Sequence, residues 1–77
     1  MRKTMFTECE LVVLAKRFRQ QAGKKRAQAA RDMRVSQTSI FNAEESPKQA
    51  LTKLRMRMIA AYSPFKVVGP VFHLEKK

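Results

Sequence analysis

Leu11, Leu14, Ala15, Phe18 and Ala22 stand at i, i+3, i+4, i+7 and i+11, the spacing of one apolar helix face. The run opens on Thr7-Glu8-Cys9-Glu10. This is a capping box, in which the Thr hydroxyl takes an orphan amide and the Glu three residues on reaches back. Phe6 and Leu11 flank it where a hydrophobic staple needs them, and Gly23 stops the helix. A second, shorter helix is predicted over residues 26–33, with Ala29, Ala30 and Met33 inward. Its start is unmarked, because Lys24 and Lys25 occupy the cap region and neither can cap. Arg34 and Val35 form a tight turn. Ser36 then caps a third helix, in which Ile40 and Ala43 are the inward pair. For a fourth helix the pattern offers Ser46 as cap, Pro47 at the first helical position and Gln49 completing a second capping box. Leu51, Leu54, Met58 and Tyr62 face inward there, with Lys53, Arg55 and Arg57 on the opposite, polar side, and Ser63-Pro64 ends it.

After Pro64 the character changes. FKVVGPVFHL, residues 65–74, is β-branched and aromatic, interrupted by Gly69-Pro70. It predicts one or two short strands. A lone strand is unstable by itself. It must pair within its own chain, as a hairpin turning at Gly69-Pro70, or with another chain. The expectation is therefore one mainly α domain over residues 1–77, of four to five helices, with a C-terminal strand or short hairpin used for dimerisation. The helices offer that tail no obvious intrachain sheet. Phe65, Val67, Val68, Val71, Phe72 and Leu74 are the expected interface of a two-fold homodimer.

Composition narrows the class. A chain of 77 residues buries only about 60% of the surface its unfolded form exposes, so a partner subunit would help. The hydrophobic share of 44% is too high for a disordered tail. No apolar run approaches the roughly 20 residues that span a bilayer. Cys9 is the single cysteine, which excludes an intramolecular disulfide and suggests a reducing, cytoplasmic compartment. One His and one Cys, far apart in sequence, make no catalytic dyad, and His73 is expected as a packed strand residue. With no CxxC, no HExxH, two glycines and scattered acids, neither an enzyme, a metal site nor a cofactor is expected.

Charge changes the picture most. Seventeen Lys and Arg stand against six Asp and Glu, a formal net charge of +11. A field of that sign attracts polyanions, nucleic acid first. Its distribution is uneven: +3 over residues 1–23, +4 over 24–35, −2 over 36–46, +4 over 47–64 and +2 over 65–77. Positive charge thus brackets a third helix that carries none. Phosphates line a DNA groove and base edges form its floor, so flanking cations grip while amides and hydroxyls read.

Two short helices, a turn of about three residues and a polar second helix make a helix-turn-helix over about residues 26–45. The residues that carry this reading are Ala30-Arg31-Asp32-Met33, through Val35-Ser36-Gln37-Thr38-Ser39-Ile40, to Glu44. They resemble the phage repressor and Cro-type helix-turn-helix domains, the XRE family, from about Leu14 to Leu54. A small residue for close helix crossing is matched by Ala30, an apolar turn residue by Val35, the Gln opening the reading helix by Gln37 and an inward aliphatic by Ile40. The resemblance also implies a structural ion pair between Arg19 and Glu44. Two positions depart from the pattern. The usual turn Gly is Arg34, which must accept a left-handed backbone or shift the turn. The Gln that often opens the helix before the turn is Arg26, preceded by Lys24 and Lys25.

With Ile40 and Ala43 turned inward, Gln37, Thr38, Phe41 and Asn42 point outward or to the flanks and are the expected base contacts. Gln and Asn suit adenine, Thr and apolar groups a thymine methyl. Lys24, Lys25, Arg26, Ser36, Ser39 and Lys48 are the expected phosphate contacts. The function this implies is a small Cro-like transcriptional repressor, dimeric on a palindromic double-stranded DNA operator. An antitoxin that represses its own operon, with a protein partner, is the nearest alternative. A cationic RNA- or membrane-surface-binding protein is the alternative from another class. Capped helices and breaker residues argue against a membrane peptide, and RNA binding calls for exposed sheet aromatics that only the tail could offer.

Overall fold

In a computed structural model, which describes residues 5–68 and 72–77, Thr7 caps helix α1 (Glu8–Gln21). The Glu10 amide donates to Thr7 Oγ1 at 3.2 Å and the Thr7 amide to Glu10 Oε1 at 2.9 Å. Gly23, at φ 71°, closes the helix by sending its N–H to Gln20 O and allowing Lys24 N–H to reach Arg19 O. The buried face of α1 is Leu11, Val12, Ala15 and Arg19. Leu14 and Phe18 flank it half-buried, and Ala22, placed inward by the sequence pattern, is exposed at the C-cap.

Helix α2 (Arg26–Met33) starts without a side-chain cap from Lys25. Gln28 supplies what Lys25 cannot, accepting the Lys25 N–H at 2.8 Å. Arg34 ends the helix in left-handed backbone at φ 59°, ψ 46°. That conformation costs a residue with a Cβ about 1–2 kcal/mol. In return Val35 N–H reaches Ala30 O at 2.9 Å, and the chain reverses directly into Ser36. Ser36 caps helix α3 (Gln37–Glu45), accepting the Ser39 N–H at 3.1 Å. Ile40 and Ala43 are fully buried.

The fourth helix departs from expectation. Helix α4 runs Thr52–Tyr62, not from Pro47. Ser46 terminates α3, its N–H closing on Asn42 O, and Gln49 donates its own backbone N–H to Ser46 O rather than completing a capping box. The reason lies in Arg55. Expected on a polar face, it is fully buried. Its guanidinium donates to Ala43 O at 2.9 Å, Ser46 O at 2.8 Å and Gln49 O at 3.0 Å. These bonds hold the chain between α3 and α4 as a looped segment wrapped on one cation. Ile59, which the sequence pattern had not placed inward, joins Leu54 and Met58 on the buried face.

The tail finds its partners at home. Strands β2 (Phe65–Val68) and β3 (Phe72–Lys76) form an antiparallel hairpin with Phe65 opposite Lys76 and Val68 opposite His73. On the other side of β3 lies a two-residue strand, β1 (Met5–Phe6), giving the order β1-β3-β2. The expectation that the helices offer the tail no sheet is thereby corrected. β3 is paired by β2 over residues 73–76 on one edge and by β1 at Phe72 and His73 on the other, and Val67, expected at a subunit interface, is buried in the core. Phe72 and Leu74 pack half-buried against that core, and Phe65 lies against Phe18 with ring centroids 6.3 Å apart. Val71 and the Gly69-Pro70 turn lie outside the described residues.

The result is a small, mainly helical domain with four helices and an antiparallel hairpin among the described residues. Its core runs from Leu11 and Ala15 on α1, through Ala29, Ala30 and Met33, to Ile40, Ala43, Leu54, Met58, Ile59 and Val67. The face of α3 opposite Ile40 and Ala43 is left uncovered.

Candidate functional site

That uncovered face begins where Arg34 turns the chain. Gln37, Thr38 and Phe41 are exposed, spaced at i, i+1 and i+4 on one side of α3. Asn42 and Ser39 are half-buried at the flanks, and Ser39 shares a 3.0 Å hydroxyl contact with Ser36. Phe41 keeps 47% of its surface, an unusual exposure for a ring that size. The Arg26 guanidinium lies over it, 5.0 Å from the ring centroid. Arg26, Gln37, Thr38 and Phe41 together line a shallow depression of about 300 Å³.

The C-terminal half of α3 behaves differently. Glu44 is buried and receives Arg19 through two nitrogens, Nε to Oε2 and Nη2 to Oε1, the latter at 3.0 Å. Arg19 Nη1 donates in addition to Lys24 O at 2.7 Å, which ties the α1–α2 connection to the same centre. Arg26 Nε donates to Glu44 Oε1 at 3.0 Å and its Nη2 to Glu45 Oε2 at 2.7 Å. Lys16 Nζ reaches the same Glu45 oxygen at 2.7 Å. The Lys16 hydrogen bond, reinforced by the charges of Lys16 and Arg26, lowers the Glu45 pKa from its ordinary value against the opposing effect of burial.

Two consequences follow for the residues expected at the site. Arg26, expected at a phosphate, is held in the free chain by two carboxylates and lies over an aromatic ring, because Glu44 and Glu45 sit within its reach. Both acids of residues 36–46 are turned toward α1 and α2 and are matched by three cations. The outward face of α3 is therefore uncharged rather than acidic. Lys24, Lys25 and Lys48, the lysines expected at phosphates, are exposed, as are Arg31, Arg34 and Lys53.

Sequence reasoning missed several supports of this arrangement. Lys16 with Glu45 and Arg26 with Glu44 link residues far apart in sequence, with no local signature. Arg57 donates to Met33 O at 2.7 Å, and Tyr62 donates its hydroxyl to Asp32 Oδ2 at 2.7 Å, so α4 braces the end of α2 just before the Arg34 turn. Burial first, and the Asp32 hydrogen bond next, raise the Tyr62 pKa well above that of a free phenol. Gln28 had a readable signal, since it stands three residues after Lys25 as a capping-box Gln does.

Among the described residues no cluster of His, Cys, Asp or Glu could hold a metal ion, and no helix is long and apolar enough to cross a membrane. Comparison with protein-family models, curated proteins and solved structures found no match.

Proposed function

We propose that this protein is a sequence-specific double-stranded DNA-binding regulator, a small repressor of the Cro kind. In this reading α2, the Arg34 turn and α3 form a helix-turn-helix with α3 lying in the major groove. The observation that carries it is the division of labour on α3. Its outward face offers only uncharged hydrogen-bonding and apolar groups, while the segments before and after it in the chain carry exposed cations, Arg31 and Arg34 on one side and Lys48 and Lys53 on the other. Gln37, Thr38, Phe41 and Asn42 are its base-reading residues, and Lys24, Lys25, Ser36, Ser39 and Lys48 its phosphate-contacting ones. Contacts of the first kind specify and contacts of the second kind position.

The reading extends to a two-fold homodimer on a palindromic operator, with two copies of α3 about 34 Å apart, one DNA turn. The outer edges of β1 and β2 are where a second copy would add to the sheet, since β3 is paired on both sides. Against RNA as the target stands the inward packing of the sheet aromatics, Phe65 against Phe18 and Phe72 against the core. Recognition of single strands relies on aromatics free to stack on bases.

The test is selection of duplexes from a random library at about 0.15 M salt with excess competitor DNA. Enrichment of one sequence with two-fold symmetry is the expected outcome. A pool that stays random, with affinity that merely tracks salt, would sink sequence-specific regulation and leave a nonspecific polyanion binder.

A further inference from the structure

We propose that the depression between Arg26 and Phe41 is a seat for the 5-methyl group of a pyrimidine in the DNA major groove, an assignment that rests on the DNA-binding reading above. Phe41 forms its apolar floor. Thr38 and Gln37 line it from the preceding turn of α3, and Arg26 lines it from α2.

The case begins with what holds the ring out. A phenylalanine with 47% of its surface exposed forgoes much of the hydrophobic stabilisation available to it. Here the ring is also held in place. The guanidinium above it makes a cation–π contact at 5.0 Å, and that guanidinium is itself fixed by Glu44 at 3.0 Å and Glu45 at 2.7 Å. Both acids are in turn anchored by α1, through Arg19 and Lys16. A chain of charged contacts from α1 through α3 to α2 thus fixes one wall of a small apolar hollow. The hollow sits among groups that suit only a base edge.

The occupant follows from the lining. Apolar contact is what distinguishes thymine on the major-groove edge, because its C5-methyl is the one apolar group any base presents there. A phosphate would lose its hydration against Phe41 and would have to compete with Glu44 and Glu45 for the guanidinium. An apolar protein side chain would fit the floor but not the charge beside it, with Arg26 in the lining and Arg34 exposed just before α3. Gln37 lies one turn from Phe41 on the same side. It is placed to bond the adenine of an adjacent pair while the methyl occupies the hollow. Arg26 is then a positioning residue. It fixes the wall.

Thymine and 5-methylcytosine carry the same methyl, and one experiment separates them. Each thymine of the duplex selected above is replaced singly by deoxyuridine, which removes the methyl and keeps every hydrogen-bonding group. Affinity is measured at fixed salt for the parent protein and for Phe41→Ala. Removing one buried methyl predicts about a fourfold loss. That loss is expected at a single thymine per half-site, and it should vanish in Phe41→Ala, which binds thymine and uracil duplexes alike. At that thymine, replacement of the pair by C·G should weaken binding, and 5-methylcytosine should recover about fourfold of the loss. Recovery marks the methyl as the group recognised, and absence of recovery would count against a seat for the methyl itself.

Phe41 is exposed, so Phe41→Ala should keep the parent's helical circular dichroism and cooperative melting. Thr38→Ser, which removes only a methyl from the lining, should reduce the uracil effect without abolishing it. Uniform tolerance of uracil at every position, in a duplex that is otherwise selectively bound, would overturn the methyl seat and leave the DNA-binding reading standing. A uracil effect undiminished in Phe41→Ala would place the methyl contact elsewhere. Failure to select any duplex overturns both.

Discussion

Arg19 and Arg55 are both buried guanidinium groups, with 7% and 0% of their surface exposed, but their charges are met in different ways. Arg19 faces a carboxylate, Glu44, through two nitrogens. Arg55 donates hydrogen bonds to three backbone carbonyls, with its closest carboxylate contact, Glu8, at 3.8 Å. Burial lowers the Arg55 pKa from its usual value, and the charge of Glu8 partly restores it. Side-chain partners neutralise a charge, whereas carbonyl partners solvate it and shape the backbone that supplies them. Arg19 accordingly pins α1 to the end of α3, while Arg55 determines where α3 stops and α4 starts.

The largest effect should come from removing the solvating cation. Arg55→Met leaves the carbonyls of Ala43, Ser46 and Gln49 without their donor, at about 1–3 kcal/mol for each that stays out of water. A net loss of about 3–5 kcal/mol, measured by urea unfolding, is a large part of a small domain's stability. Glu44→Gln should come next at about 3 kcal/mol, because it leaves Arg19 buried without its countercharge. The comparison sharpens when partners are removed together. Replacing Arg19 and Glu44 jointly by Met and Leu should recover most of the single-variant loss. No second-site change can do so for Arg55, whose partners are main chain. A Glu44→Gln protein that melts within a degree or two of the parent, or an Arg55→Met protein that does, would erase the distinction.

Smaller effects lie with groups nearer the surface. Tyr62 is the single tyrosine in a chain without tryptophan, so tyrosinate absorbance reports it alone. Its folded pKa is raised above the ordinary phenol value of 10.0. The associated stability is therefore fully present below pH 10 and is lost as pH rises toward the folded value. The absorbance midpoint should lie well above that of the urea-unfolded chain, and Tyr62→Phe should flatten the alkaline fall in melting temperature. Coincident folded and unfolded midpoints would mean that the Asp32–Tyr62 brace is open in solution.

Glu45 is exposed, and the expected effect on stability is the smallest. Its folded pKa is lowered from 4.5, so its contribution is present above that pH and is lost as pH falls through the folded value. Glu45→Gln at neutral pH should leave melting nearly unchanged. By releasing Lys16 it should strengthen binding to random DNA and steepen the salt dependence by about one. An unaltered salt slope would show that Lys16 stays away from phosphate.

The contrast between the two arginines also explains what the sequence made legible. Thr7 and Glu10, Gly23 and Ser36 act within one helical turn, so their caps and stops could be read from spacing. At Arg34 the resemblance left two options, a left-handed backbone or a shifted turn, and the chain takes the first. Ion pairs between distant residues were readable only where the resemblance supplied the partner, as with Arg19 and Glu44. Lys16 with Glu45 and Arg26 with Glu44 had no such guide. Ser46-Pro47 carries a sound helix-start signature, yet Arg55 captures the Ser46 and Gln49 carbonyls, and tertiary hydrogen bonds override the local preference. A carbonyl partner leaves no trace in residue identity, since every residue has one. β1 is two residues long, too short for any alternation to register, and without it the tail seemed to lack a sheet.

The central claim is that α3 reads bases through its uncharged outward face while the cations beside it hold the phosphates. Gln37→Ala and Lys25→Gln test it most directly, each titrated against the selected duplex and a random one across a range of salt. Gln37→Ala should cost about 1–3 kcal/mol on the selected duplex and almost nothing on the random one. Lys25→Gln should weaken both equally and lower the salt slope by about one. If the two variants weaken both duplexes alike, α3 is not the reading element, and the account is contradicted at its centre.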